Sequence, residues 1–132
     1  MDNICIVANG LLNGIVALIM PNQHSLRELA ITKFGMPESS SLFEICNNTS
    51  LVDFVHASII ETGFEQCLKP IELPSLINLC HEEWTPDNNL LTAAMKLKRN
   101  NIAQKHAADI ERMFSIIRKN PSKARIRKPV NV

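Results

Sequence analysis

Lys96-Leu97-Lys98-Arg99 is a dense cationic run that directly follows an apolar stretch, Leu90-Leu91-Thr92-Ala93-Ala94-Met95. A lysine in this setting can be presented to an anion on a partner surface, because its long flexible stem carries a compact point charge. The same run also reads as a solvated charge cluster, which composition alone favours. Lys96, closest to the apolar stretch, is the first candidate for contact with an anion. Lys98 and Arg99 are alternative phosphate contacts.

Other constellations carry less. His81-Glu82-Glu83-Trp84-Thr85 starts like a zinc-protease helix, but Thr85 stands where the second His is needed. Without it there is no two-point grip on zinc, and Pro86 opposes a helix there. No metal ligands are assigned. Cys80 and His81 are neighbours on a strand pattern, so their side chains point to opposite faces and do not pair as thiolate and imidazole. The sequence has no GxGxxG and no GxxxxGK[ST], so those phosphate loops supply no nucleotide site. His106 lies on an apolar helical stripe and reads as a partly buried core histidine. Met95 and Met113 read as packing residues. Asn47-Asn48-Thr49-Ser50 holds overlapping glycosylation sequons that have no meaning in a reducing compartment.

These residues need elements to hold them. Ile4–Ala8 and Ile15–Met20 are β-rich runs around two Asn-Gly turn signals, which predicts an antiparallel hairpin. The second run barely alternates, so it should be buried on both faces with helices covering the sheet. Ser25-Leu26-Arg27-Glu28 and Ser41-Leu42-Phe43-Glu44 read as capping boxes at helix starts. Gly35 and Pro37 end the first helix. Ser50 reads as the cap of a longer helix whose Leu51, Val52, Val55 and Ile59 share a face, with Gly63 weakening its end. Residues 71–79 alternate with period 2 and predict a strand. Pro74 places it at a sheet edge or a bulge. From Asn101 a single helix is expected, with Ile102, His106, Ile110, Met113, Phe114 and Ile117 as its apolar stripe, stopped at Asn120-Pro121. The expected fold is therefore α/β: a small sheet, made of the N-terminal hairpin plus a later strand, flanked by amphipathic helices.

The chain has 132 residues, 45% hydrophobic and 20% charged, which fits one globular domain. Its 14 basic and 13 acidic residues are unevenly placed. Residues 118–132 hold six cations and no acid, so the other 117 residues carry 8 basic against 13 acidic groups. A uniformly basic face for nucleic acid is not expected on such a body. The division is a domain over 1–117 and a basic, disordered tail over 118–132. The tail could touch anionic lipid, but it interleaves no aromatic residue for base stacking. Four cysteines without a paired spacing fit a reducing compartment. The apolar stretch from Ile4 to Met20 is interrupted by Asn9, Gly10, Asn13 and Gly14 and follows no cation, unlike a signal peptide or membrane span.

The run from Glu83 to Arg99, EWTPDNNLLTAAMKLKR, resembles the C-terminal motif of long-chain acyl-CoA synthetases, roughly E-P-[WF]-T-x-E-x-G-L-[LV]-T-x-[TA]-x-K-L-K-R. Asp2-Asn3-Ile4-Cys5, Ala8-Asn9 and Pro21-Asn22-Gln23 are similar to the family's hairpin segments. Ile71-Glu72-Leu73-Pro74 is similar to its F-E-I-P, and Ala108–Met113 to its closing helix. The resemblance covers residues 2 to about 114, with the flavour of the animal branch that prefers polyunsaturated acids. Asn89 departs from the usual Gly, Ala93 from a frequent Pro, and His81 and Glu83 from the common P-E-P.

The resemblance implies the mobile small domain of an adenylate-forming enzyme, with Lys96 as its adenylation lysine. ATP and CoA would be substrates of the complete enzyme, with Mg2+ on ATP, and none would be bound by this chain alone. The implied partners are a large adenylation domain and a fatty acid. The implied location is the cytosolic face of endomembranes: endoplasmic reticulum, mitochondrial outer membrane or peroxisome. The nucleotide pocket and acyl tunnel of the large domain are not in this sequence, so the chain alone should be inactive. The alternative is a non-catalytic stand-alone domain, or truncated copy, that docks on a full-length synthetase.

Overall fold

The computed structural model describes residues 3–9 and 14–124. Strand β1 spans Asn3–Ala8 and β2 spans Ile15–Met20. They pair antiparallel from Asn3 opposite Met20 to Ala8 opposite Ile15, as the hairpin pattern predicts. Residues 10–13 of the predicted turn lie outside the described residues. Helices α1 (Gln23–Phe34), α2 (Leu42–Cys46) and α3 (Thr49–Glu65) follow. Strand β3 (Pro74–Leu79) then pairs parallel to β2, giving the order β1-β2-β3. Parallel pairing needs a long crossover, and α1 to α3 supply it. Pro74 sits on the edge strand where the register shifts opposite Ile15 and Val16, so both places foreseen for it coincide. Helices α4 (Arg99–Lys105) and α5 (Ala107–Lys119) close the described chain, with a 3-10 turn at Pro121–Ala124.

The centre of β2 is buried on both faces, from Val16 to Ile19. Val16 and Leu18 pack with Cys5, Trp84, Leu90, Leu91, Ile102, Met113, Phe114 and Ile117. Ala17 and Ile19 pack with Leu26, Ala30, Ile45, Leu51, Ile77 and Leu79. Two cores thus stand back to back on one sheet. On the second face, a groove of about 560 Å³ separates α3 from β1, where Ile4 and Ile6 are each 42% exposed.

Several local expectations are corrected. Helix α1 begins two residues before Ser25, because the Asn22 side chain accepts from the Ser25 amide. Glu28 stands opposite His24 instead of closing a capping box. Asn48, not Ser50, caps α3 by accepting from the Leu51 amide. Asn equals Ser as a cap, so the choice fell to where the apolar face had to start. Ser41 does cap α2 through the Glu44 amide, and Gly35 ends α1 with φ +63°. The period-2 run from Ile71 is not all strand: Pro70–Glu72 is a 3-10 turn. The expected single C-terminal helix is two, broken at His106. Of the segment read as tail, Arg118 and Lys119 end α5, and residues 125–132 lie outside the described ones.

Gly63 has a packing reason. It is buried, and a Cβ there would overlap the Leu73 Cδ2 methyl. Gly63→Ala obliges the Leu73 side chain, which lines the adjoining groove, to turn aside, so the gain of about 1 kcal/mol in helix propensity is expected to be offset and the net change to stay within about 1 kcal/mol. Urea unfolding followed by circular dichroism measures the net change.

Candidate functional site

Residues 83–98 form one self-bonded loop that ends in a hairpin. The Thr85 amide donates to Asn88 Oδ1 at 3.0 Å, and Asn88 Nδ2 donates to the Glu83 carbonyl at 2.7 Å. The Thr85 carbonyl accepts from the Leu90 and Leu91 amides. Asn89 has φ +65° and turns the chain into the first arm. Leu91 bridges Leu97, the Lys98 amide donates to the Leu90 carbonyl at 3.0 Å, and the Thr92 amide donates to the Lys96 carbonyl at 2.7 Å. The tip is a turn closed by the Met95 amide on the Thr92 carbonyl at 2.8 Å, with Met95 itself at φ +64°. Met95 is 61% exposed, so it is a tip residue and not the packing residue expected. Buried Leu90 and Leu91 root the hairpin in the first core.

This geometry separates the three candidate cations. Lys96 is exposed beside the tip, its amide held by Thr92 Oγ1 at 3.1 Å. Lys98 precedes α4, and its ammonium donates to Asn89 Oδ1. Arg99 opens α4 and is exposed, near the buried Cys5. Sequence reasoning missed Asn89 and Asn101 as supports: Asn101 Nδ2 donates to the Asn89 carbonyl at 2.8 Å. Only the departure from Gly at position 89 signalled the first of them.

The loop is anchored at its start by Trp84, which is 1% exposed. Trp84 Nε1 can only donate, and it does so to His106 Nε2 at 3.3 Å. The His106 proton therefore sits on Nδ1, 3.5 Å from Asp109 Oδ2. Cys80 Sγ is 3.9 Å from that same Nδ1. A protonated ring nitrogen is no base for a thiol, and burial pushes the Cys80 thiol up to about 12. Cys80 is thus a neutral packing residue, as is Cys46, pushed up to about 11 by burial. His81 is exposed and meets the Phe43 ring edge-on instead of pairing with Cys80. Lys105 Nζ lies 2.7 Å from Glu82 and holds that carboxyl below its usual range. Among the described residues, no group of three or more His, Cys, Asp or Glu could hold a metal ion. No described helix is long and apolar enough to cross a membrane.

No family model matches the chain. Curated proteins do. The chain is 31% identical over 115 residues to long-chain-fatty-acid–CoA ligase 1 of Schizosaccharomyces pombe. It is 32% identical over 115 residues to long chain acyl-CoA synthetase 8 of Arabidopsis thaliana, and 34% over 114 residues to long-chain-fatty-acid–CoA ligase 4 of Saccharomyces cerevisiae. The chain is homologous to one segment of the long-chain acyl-CoA synthetases. These matches cover 86–87% of the chain but only 16–17% of each synthetase. The fold agrees. The adenylation domain of a carboxylate reductase from Mycobacterium chelonae superposes with TM-score 0.67 at 17% identity, over 85% of this chain and 15% of that one. An A-PCP didomain of a carboxylic acid reductase from Segniliparus rugosus, in complex with AMP, gives 0.63 at 18% identity, over 89% and 14%. These synthetase relatives are fungal and plant proteins and do not single out the animal branch. The synthetase motif's usual Gly now has a physical reason, since Asn89 occupies a left-handed backbone position that Gly takes freely and Asn tolerates.

Proposed function

We propose that the chain serves as the mobile small domain of a long-chain fatty acid–CoA ligase, with Lys96 as its adenylation lysine. The observation that carries this reading is Lys96 itself: an exposed ammonium beside the tip of a rooted hairpin, while Lys98 is held by Asn89 Oδ1 and Arg99 lies past the hairpin at the start of α4. In the first half-reaction a fatty-acid carboxylate oxygen attacks the α-phosphorus of ATP. The bond to the β-phosphate oxygen breaks and pyrophosphate leaves. Carboxylate and triphosphate meet as two anions, and negative charge builds on the α-phosphate oxygens and the leaving pyrophosphate as these bonds change. An ammonium delivered there by a closing domain offsets that charge best in a water-poor site. In the second half-reaction the CoA sulfur attacks the acyl carbon, loses its proton and expels AMP.

The nucleotide and acyl pockets would belong to a large adenylation domain, the proposed partner. Mg2+ would enter on ATP, and this chain contributes no step through it. The purified 132-residue chain is expected to form no acyl-CoA from fatty acid, ATP and CoA, because one lysine supplies neither orientation nor a dry site. Sustained ATP-dependent thioester formation by that chain refutes the reading.

An endomembrane location, on the cytosolic face, completes the proposal. The basic segment 118–132 supports it as an anionic-lipid contact. Its binding to anionic liposomes is expected to fall steeply with salt and to vanish when the segment is deleted. Equal binding to neutral liposomes counts against it.

A further inference from the structure

The hairpin that carries Lys96 has short arms: one bridge between Leu91 and Leu97, with a hydrogen bond on either side. So small a ribbon is marginal by itself and needs its base tied down. Three side chains do this. Asn89 turns into the first arm at φ +65°, and its Oδ1 accepts from the Lys98 ammonium at the end of the second arm. Its carbonyl accepts from Asn101 Nδ2 in the first turn of α4 at 2.8 Å. The chain is thereby pinned at 89, 98 and 101, around a segment that has Lys96 near its far end. Lys98 also stands at the positive end of α4, where a cation is disfavoured. The Asn89 oxygen gives its ammonium a partner there.

We propose that Asn89, Lys98 and Asn101 form a clasp that commits Lys98 to the hairpin base and leaves Lys96 as the cation the hairpin presents. Asn89 and Lys98 are then positioning residues for Lys96, an inference that rests on the reading of Lys96 above. Lys98 is not a phosphate contact. Asn89 supplies both the left-handed backbone and a side-chain acceptor, whereas Gly at this position supplies only the first.

That difference makes the clasp testable without strain. Asn89→Gly keeps the backbone and removes the acceptor. Asn89→Asp keeps the acceptor and adds charge toward Lys98. In the 132-residue chain, NMR amide exchange at Thr92, Lys96 and Lys98 is expected to quicken about 3- to 10-fold in Asn89→Gly, the range one hydrogen bond spans. Exchange in β2 should be unchanged. Lys98→Met should match it, the double variant should add nothing further, and Asn89→Asp should restore slow exchange. Silent Asn89→Gly, or additive effects of the two changes, overturns the clasp.

The functional arm uses the whole chain fused to the large domain of a related synthetase. There Asn89→Gly and Lys98→Met should each lower the kcat of adenylation by a similar few-fold, about 3 to 10, with KM for ATP unchanged. Asn89→Asp should recover it. A loss in Lys98→Met as large as in Lys96→Ala identifies Lys98 as a substrate contact and also overturns the proposal. The two readings fail separately. If Lys96→Ala is silent while amide exchange responds as stated, the adenylation reading fails and the clasp survives as a structural feature. If Lys96→Ala is severe while amide exchange ignores Asn89→Gly, the clasp fails and Lys96 stands.

Discussion

Lys96→Ala, in a fusion of this chain to a related synthetase's large domain, is expected to lower acyl-adenylate formation by about 10²-fold or more. That is the scale on which one preorganised charge contact acts when it is aimed at developing negative charge. Thioester formation from supplied acyl-adenylate should change much less. The first half-reaction brings two anions together, a carboxylate and a triphosphate, and builds charge on the α-phosphate oxygens, whereas in the second a thiol attacks the acyl carbon of an adenylate with a single phosphate charge. A domain that moves between the two steps would withdraw the lysine. Single-turnover assays of pyrophosphate release and of thioester formation separate the two. Retained adenylation in Lys96→Ala, together with its loss in Lys98→Ala or Arg99→Ala, moves the assignment to the neighbour. Silence of all three in an active fusion removes this hairpin from catalysis. Lys96→Arg is a useful companion, because it keeps the charge but exchanges a compact ammonium for a broad planar fork.

Trp84→Ala is expected to destabilise the fold by about 3–5 kcal/mol. Trp84 is the largest of the fully buried side chains and packs in the core with Leu18, Leu90, Leu91 and Met113. Its loss leaves a cavity and removes the donor that His106 Nε2 accepts. Domains of this kind hold only about 5–15 kcal/mol in total, so the loss is a large fraction. Trp84→Phe should cost less, since it restores most of the buried surface and forfeits the indole hydrogen bond. Urea unfolding followed by circular dichroism gives both values. A change below about 1 kcal/mol for Trp84→Ala would show that the site collapses without penalty. Because Trp84 also starts the loop that leads to Lys96, the Ala variant should loosen that hairpin before the sheet unfolds.

The hairpin, the buried central strand and the helical faces were legible because period 2 and period 3.6 belong to the backbone itself and show through any sequence that buries one face. The same holds for Gly35 ending α1 and for Pro74, which cannot donate to a ladder and so sits at the edge and the register shift. Helix starts were less legible. Asn22 and Ser25 at one helix start, and Asn48 and Ser50 at another, are competent caps within a few residues of each other, and packing decided between them. The break at His106 was hidden, since the stripe from Ile102 to Ile117 fits one continuous helix. The contacts of His106 with Cys80 and Trp84 come from a segment 26 and 22 residues earlier in the chain.

For the candidate site, residue type and order marked the cationic run, and the resemblance to the synthetase motif ranked Lys96 first within it. Only the tertiary structure assigned the three cations different surroundings. Asn89 lies nine residues before Lys98, and Cys5 lies far from Arg99 in the chain. No periodicity encodes such meetings. They exist because Asn89 takes a left-handed turn and because β1, from the other end of the chain, shares a core with the hairpin's leucines.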